Sequence, residues 1–121
     1  MRYLLLLLLP AAVLFANVQT VKIGVLAKRG AELTLKRWTP MAEYLSQEIP
    51  AYKFEIVPIP FNSLFKEVEQ KNVDFMLANS GFYVVLERRY GAQRITTLVN
   101  KQVTGLTQKE FGGVIFTHID N

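Results

Sequence analysis

The chain has 121 residues, no cysteine, a single histidine, hydrophobic residues at half of its positions and a formal net charge of +4. That length holds one small domain, the absence of cysteine excludes disulfides and thiolate or thiol-redox chemistry, and one histidine gives a metal site no support. The adjacent basic pairs Lys28-Arg29, Lys36-Arg37 and Arg88-Arg89 are not interleaved with aromatics in the manner of a nucleic-acid surface, so no nucleic-acid partner is expected.

The N-terminus reads as a leader. Met1-Arg2-Tyr3, six leucines, Pro10 and the small-residue stretch to Ala16 have the charged start, short apolar core and exit of a secretory signal peptide, with cleavage expected after Ala16. The apolar run from Tyr3 to Phe15 falls short of the roughly 20 residues that span a bilayer, so the chain meets the membrane through this peptide or through its uncleaved form as an anchor. Residues 17–121 then carry 13 Lys+Arg against 10 Asp+Glu.

Beyond the leader, strands and helices alternate. Val21 to Ala27 predicts a first strand and Lys28-Arg29-Gly30 the loop after it. Trp38, Met41, Ala42, Leu45 and Ile49 recur at helical steps, with Thr39-Pro40 as a possible start and Pro50 as the stop. A start near Ala31, with Pro40 inside the helix, is the alternative. Tyr52 to Ile59 predicts the second strand, followed by a second helix capped by Asn62, with Phe61, Leu64, Phe65 and Val68 as its apolar face and Lys71-Asn72 as its end. Val73 to Ala78 predicts the third strand, and a third helix runs from about Gly81 to Tyr90 and stops at Gly91. Ile95 to Lys101 predicts a fourth strand, Gln102 to Phe111 a polar connection and Gly112 to Thr117 a fifth strand.

Strands joined through helices predict an α/β fold with a mainly parallel sheet, helices on both faces, and ligands bound outside the carboxyl ends of the strands. Three loops converge there: Lys28-Arg29-Gly30, Ile59-Pro60-Phe61 and Asn79-Ser80-Gly81, with Thr117-His118 as a fourth candidate. At Asn79-Ser80-Gly81 a buried strand gives way to a helix. Asn79 or Ser80 can cap it, and the free N–H groups and helix dipole make a seat for an anion. Caps of this kind also occur for stability alone.

No catalytic constellation emerges. Ser80 lacks the nucleophile-elbow pattern, since Ala78 and Phe82 stand where glycines are needed. A triad of Ser80, His118 and Asp74 would require Asp74 beside both partners, whereas Asp74 reads more simply as an edge or capping residue. Trp38 shares the phase of Met41, Ala42 and Leu45, which favours packing over an aromatic ligand wall.

Five blocks taken in order carry a resemblance: I-G-V-L-A-K-R-G (Ile23 to Gly30), W-T-P-M-A-E-Y-L (Trp38 to Leu45), V-D-F-M-L-A-N-S-G (Val73 to Gly81), E-R-R-Y-G-A (Glu87 to Ala92) and F-G-G-V-I-F-T (Phe111 to Thr117). Together they resemble the phosphate/phosphonate-type periplasmic substrate-binding proteins, most closely the branch that forms the sensory input of membrane histidine kinases, tetrathionate sensors among them. The resemblance implies a class II periplasmic-binding fold, of which residues 17–121 form the first lobe without the second lobe or the returning strand. It places ligand contacts on Lys28, Arg29, Gly30, Asn79, Ser80 and Gly81, with Tyr83 and Thr117 as weaker candidates. It further implies no enzymatic activity, no cofactor, a small oxyanion as ligand (phosphonate, phosphate or sulfur oxoanion), a periplasmic location, and an ABC-transporter permease or a histidine kinase module as partner. The alternative expectation is a truncated remnant that binds nothing.

Overall fold

The computed structural model describes residues 18–101, 105, 107 and 108. Strand β1 (Gln19–Leu26) leads into helix α1 (Ala31–Glu48), strand β2 (Tyr52–Ile59), helix α2 (Leu64–Glu69), strand β3 (Phe75–Leu77) and helix α3 (Ser80–Tyr90); β4 (Asn100–Lys101) and β5 (Thr107–Gln108) follow. The first three strands form a parallel sheet in the order β2-β1-β3, and β4 pairs antiparallel with β5 in a separate two-stranded sheet. The fold is therefore α/β with a parallel sheet at its centre, as the alternation predicts.

The register explains the burial. Val21, Ile23 and Val25 of β1 stand level with Phe54, Ile56 and Pro58 of β2, so these residues share one face, while Gly24 and Leu26 stand level with Val57 and Ile59 on the other. The second face meets α2 and α3: Leu26, Ile59, Leu64 and Leu86 form the buried cluster, with Phe65, Met76 and Phe82 packed around it. Val21, Ile23 and Val25 are buried as well, leaving their face to α1, whose Ala42 is buried in turn. The central strand is thus apolar on both sides, the pattern of a parallel strand covered twice. Gly24 lies where layers meet most closely. A Cβ built there would stand 2.6 Å from Ile59 Cδ1, 2.8 Å from Met76 Sδ and 3.2 Å from Val73 Cγ1.

Helix α1 takes the earlier of the two starts. Gly30 precedes it at φ 91, a conformation that disfavours side chains, and the buried Thr34 returns both its N–H and its hydroxyl to the Gly30 carbonyl, at 3.3 and 2.8 Å. Pro40 sits inside the helix and lacks the N–H that would bond the Lys36 carbonyl. Trp38 is half-buried with the Arg37 guanidinium 5.8 Å from its ring centroid, and Ile49 is exposed, so the predicted apolar face is only partly covered.

At the outer side of β2, the Phe54 N–H donates to Ser46 Oγ at 2.8 Å, and the Ser46 hydroxyl donates to the Ala42 carbonyl at 2.8 Å. The Ile59 carbonyl instead accepts from Ala27 N–H on the β1 side, at 2.9 Å. Backbone direction alternates along a strand, so Phe54, Ile56 and Pro58 turn their main-chain groups away from β1.

Several predicted boundaries move. Helix α2 starts at Leu64 after Ser63, and neither Asn62 nor Ser63 makes a side-chain cap; residues 61–63 instead form a turn in which the Ser63 N–H and hydroxyl both donate to the Pro60 carbonyl, each at 3.2 Å. Phe61 therefore lies outside the helix and is 46% exposed. At its other end α2 closes as the sequence suggests. Lys71 adopts φ 56, its N–H reaches the Val68 carbonyl, and Asn72 N–H reaches the Glu67 carbonyl, the paired bonds of a Schellman end.

Strand β3 is shorter than predicted, because Val73 leaves that turn and Asp74 bonds Lys22 through its side chain. Helix α3 ends at Gly91, at φ 67, where the sequence places the stop. The predicted fourth strand shrinks to Asn100–Lys101. Ile95, Thr96, Thr97 and Val99 give this stretch the β-branched composition of a strand, but among the described residues no strand pairs with 95–99, and Ile95, Leu98 and Val99 are exposed. The predicted polar connection contains β5, and the predicted strand over Gly112 to Thr117 lies outside the described residues, as does the leader.

Candidate functional site

Parallel strands place their following loops on one edge, and the three expected loops emerge there. Extended by two residues, the pairing of Val25 with Leu77 sets Ala27 level with Asn79, so the Lys28-Arg29-Gly30 loop and the Asn79-Ser80-Gly81 turn leave neighbouring strands at the same height. The first loop is folded on itself, with Lys28 N–H bonded to Leu26 O at 3.0 Å and Gly30 N–H to Ala27 O at 3.2 Å, which leaves Lys28, Arg29 and Gly30 exposed.

Asn79 caps α3. Its Oδ1 accepts from Phe82 N–H at 3.0 Å, while its main-chain carbonyl accepts from Tyr83 N–H at 3.0 Å. The carboxamide oxygen is thus committed to the helix and the Nδ2 group is its remaining donor, beside the N–H groups of Ser80 and Gly81 at the open terminus. Ser80 and Gly81 are exposed; Asn79 is half-buried.

The two helix N-termini at this edge differ in charge. Helix α1 carries Glu32 in its first turn, which offsets the positive end of its dipole, whereas α3 has no acidic residue in its first turn. None of the three loops contains an Asp or Glu. The positive end of the α3 dipole is therefore uncompensated within its own first turn, and the exposed cations Lys28 and Arg29 stand on the neighbouring loop.

The remaining candidates fall less well. Tyr83 donates its hydroxyl to Glu87 Oε1 at 2.8 Å, one turn further from the edge, and this bond, followed by desolvation, raises the Tyr83 pKa. Arg29 also lines an open groove of about 300 Å³ with Glu32, Leu33 and Lys36; that groove follows the solvent side of α1 and includes none of Asn79, Ser80 or Gly81. Thr117 and His118 lie outside the described residues. Asp74 is engaged with Lys22 N–H at 2.7 Å, in the edge role read from sequence. Among the described residues no three His, Cys, Asp or Glu side chains gather as metal ligands.

Phe61 belongs to one of the three converging loops, although it was not among the expected ligand contacts. It stands in the loop after β2 with its ring 5.7 Å from that of Phe82, which lies 5.6 Å from Phe65, itself stacked on Tyr90 at 6.4 Å. This row of rings holds an exposed aromatic beside the α3 N-terminus. Its loop was visible in the sequence, but the phase with Leu64 and Phe65 assigned the ring to a helix face.

Comparison with known proteins agrees with this architecture. Residues 23–121 match the family model described as ABC transporter, phosphonate, periplasmic substrate-binding protein. The tetrathionate sensor histidine kinase TtrS of Salmonella typhimurium is 30% identical over 102 residues, covering 84% of this chain and 17% of that protein. No solved structure matches the chain significantly. A match over residues 23–121 places the chain in the phosphonate-type periplasmic substrate-binding family, whose members bind solutes rather than transform them.

Proposed function

We propose that the chain binds a small oxyanion at the carboxyl edge of its parallel sheet and works as the sensory input of a histidine kinase or as the solute receptor of an ABC transporter. The observation that carries this reading is the uncompensated N-terminus of α3, capped internally by Asn79 and adjoined by the cationic loop after β1. Ser80 and Gly81 supply N–H groups, Asn79 its Nδ2, Lys28 and Arg29 the counter-charge, and Gly30 the turn that brings the loop around. Tyr83 and Thr117 are secondary contacts in this reading. The sensory role is favoured by the likeness to a tetrathionate sensor kinase, and a sulfur oxoanion is accordingly the first ligand to try. Residues 1–16 act as the export signal, which puts the domain in the periplasm, where such receptors meet their solutes.

Thermal melting of the full chain in the presence of tetrathionate, inorganic phosphate, methylphosphonate or sulfate tests the proposal. At least one anion raises Tm in a concentration-dependent way, and Ser80→Trp abolishes the rise by filling the turn. A rise of equal size in Ser80→Trp would place binding elsewhere, and no rise with any of the four would refute oxyanion binding by this chain.

A further inference from the structure

Asp74 does with a side chain what strands ordinarily do with backbone. Its Oδ2 accepts from Lys22 N–H at 2.7 Å, and its own N–H donates to the Lys22 carbonyl at 2.9 Å. Ile23 pairs with Phe75, so Lys22 and Asp74 are level, and their two bonds close a ring one step before β3 begins. β3 itself has three residues. A ladder that short gives register little protection, and five positions further on stands Asn79.

A slip of one residue would carry the Asn79-Ser80-Gly81 turn about 3.3 Å along the sheet and reverse the faces of Phe75, Met76 and Leu77. Met76 and Val73 approach Gly24 from the α2/α3 side, so a slip would also remove the contacts that fill that gap. We infer that Asp74 is a positioning residue for the anion edge: its carboxylate locks β3 to β1 in register and thereby sets the height of the Asn79-Ser80-Gly81 turn beside Lys28-Arg29-Gly30. The inference rests on reading that edge as the binding site. An acceptor oxygen on a short side chain is what the position needs, so asparagine serves where alanine does not.

Three variants of the full chain test it: Asp74→Ala, Asp74→Asn, and Asp74→Ala combined with Lys71→Gly. Lys71 lies outside the binding loops in a left-handed conformation that glycine adopts freely, so Lys71→Gly adds stability without restoring the lost acceptor. Amide NMR spectra are recorded without ligand, and affinity is measured for tetrathionate and for inorganic phosphate. Asp74→Ala is expected to shift the amides of Asn79 to Phe82, to speed exchange of the Lys22 amide and to weaken binding about tenfold or more, as for a misplaced hydrogen bond to a charged ligand. Asp74→Asn restores all three. Lys71→Gly recovers about 4 °C or more of the lost Tm but neither the amide positions nor the affinity. The inference is overturned if the amides of Asn79 to Phe82 in Asp74→Ala superpose on those of the wild type, or if Lys71→Gly restores affinity together with Tm. A wild-type chain that binds neither probe removes the tetrathionate and phosphate reading of the edge, while the ligand-free amide shifts still decide the register claim.

Discussion

Replacing Gly24 with alanine sets two effects against each other, and the packing around the central strand decides the sign. Alanine restricts the unfolded chain more than glycine does, a gain of roughly 0.5–1 kcal/mol. Against this, the new methyl would lie 2.6 Å from Ile59 Cδ1 and 2.8 Å from Met76 Sδ, about 1 Å inside normal contact distances. Met76 is flexible and half-buried and can retreat, but Ile59 is 1% exposed and sits inside the buried cluster with Leu26, Leu64 and Leu86. Overpacking of this kind costs about 1–3 kcal/mol, and against the roughly 0.5–1 kcal/mol gain the net effect is a destabilisation of up to about 2.5 kcal/mol. For a domain of this size that lowers Tm by roughly 4–8 °C per kcal/mol. Circular dichroism melts and urea titrations at constant m measure it. Ile59→Val removes the Cδ1 atom and costs about 0.5–1.5 kcal/mol alone; in the Gly24→Ala background it should cost less, because the clash leaves with the methyl. A Tm for Gly24→Ala equal to or above that of the wild type would refute the argument that strand β1 needs glycine for close approach.

The cap at α3 separates stability from binding. Asn79→Ala loses the bond to Phe82 N–H and about 1 kcal/mol of stability, whereas Asn79→Asp keeps the cap and the melting temperature but sets a negative charge at the anion edge and weakens oxyanion affinity; equal affinity for Asn79→Asp and wild type would move the ligand away from this turn. Tyr83 titrates above an ordinary tyrosine because its hydroxyl donates to Glu87, so the stability it contributes is fully present below the unfolded tyrosine pKa and is lost as pH rises through the higher folded value. Ultraviolet titration at alkaline pH should show a late-titrating tyrosine that returns to the ordinary range in Glu87→Ala, which removes the acceptor. Glu55 and Lys53 form an exposed pair with a 2.8 Å contact that lowers the carboxyl pKa and raises that of the amine. Its contribution is present between the two titrations, is lost as pH falls through the Glu55 value or rises through the Lys53 value, and should vanish from melts in high salt.

What could be read from sequence was what local chemistry determines. The apolar run Ile23 to Leu26, the Asn79 cap and the Gly91 stop each rest on neighbours within a turn of chain, and each appears in the structure. Asn62 misled because Pro60 and Ser63 close a turn before α2 can start. The stretch from Ile95 to Val99 is rich in the β-branched residues of a strand, but composition says nothing of whether a partner strand stands beside it. Asp74 was legible as an edge residue; its specific bond to Lys22, 52 residues earlier, was not, since it depends on which strands lie side by side. The Tyr83 hydroxyl, four residues from Glu87, was within reach of sequence reasoning and was passed over in favour of the ligand edge.

The outer flank of β2 has a consequence for how copies of the chain meet one another. A strand eight residues long at the margin of a sheet is where like molecules add on and grow into fibrous aggregates. On this flank, however, the Phe54 donor is held by Ser46, Pro58 has none to offer, and among the described residues Ile56 between them is left as a lone donor. An incoming strand needs a donor at every second residue to register itself, so one hydroxyl on α1 and one proline make this margin a poor template for aggregation.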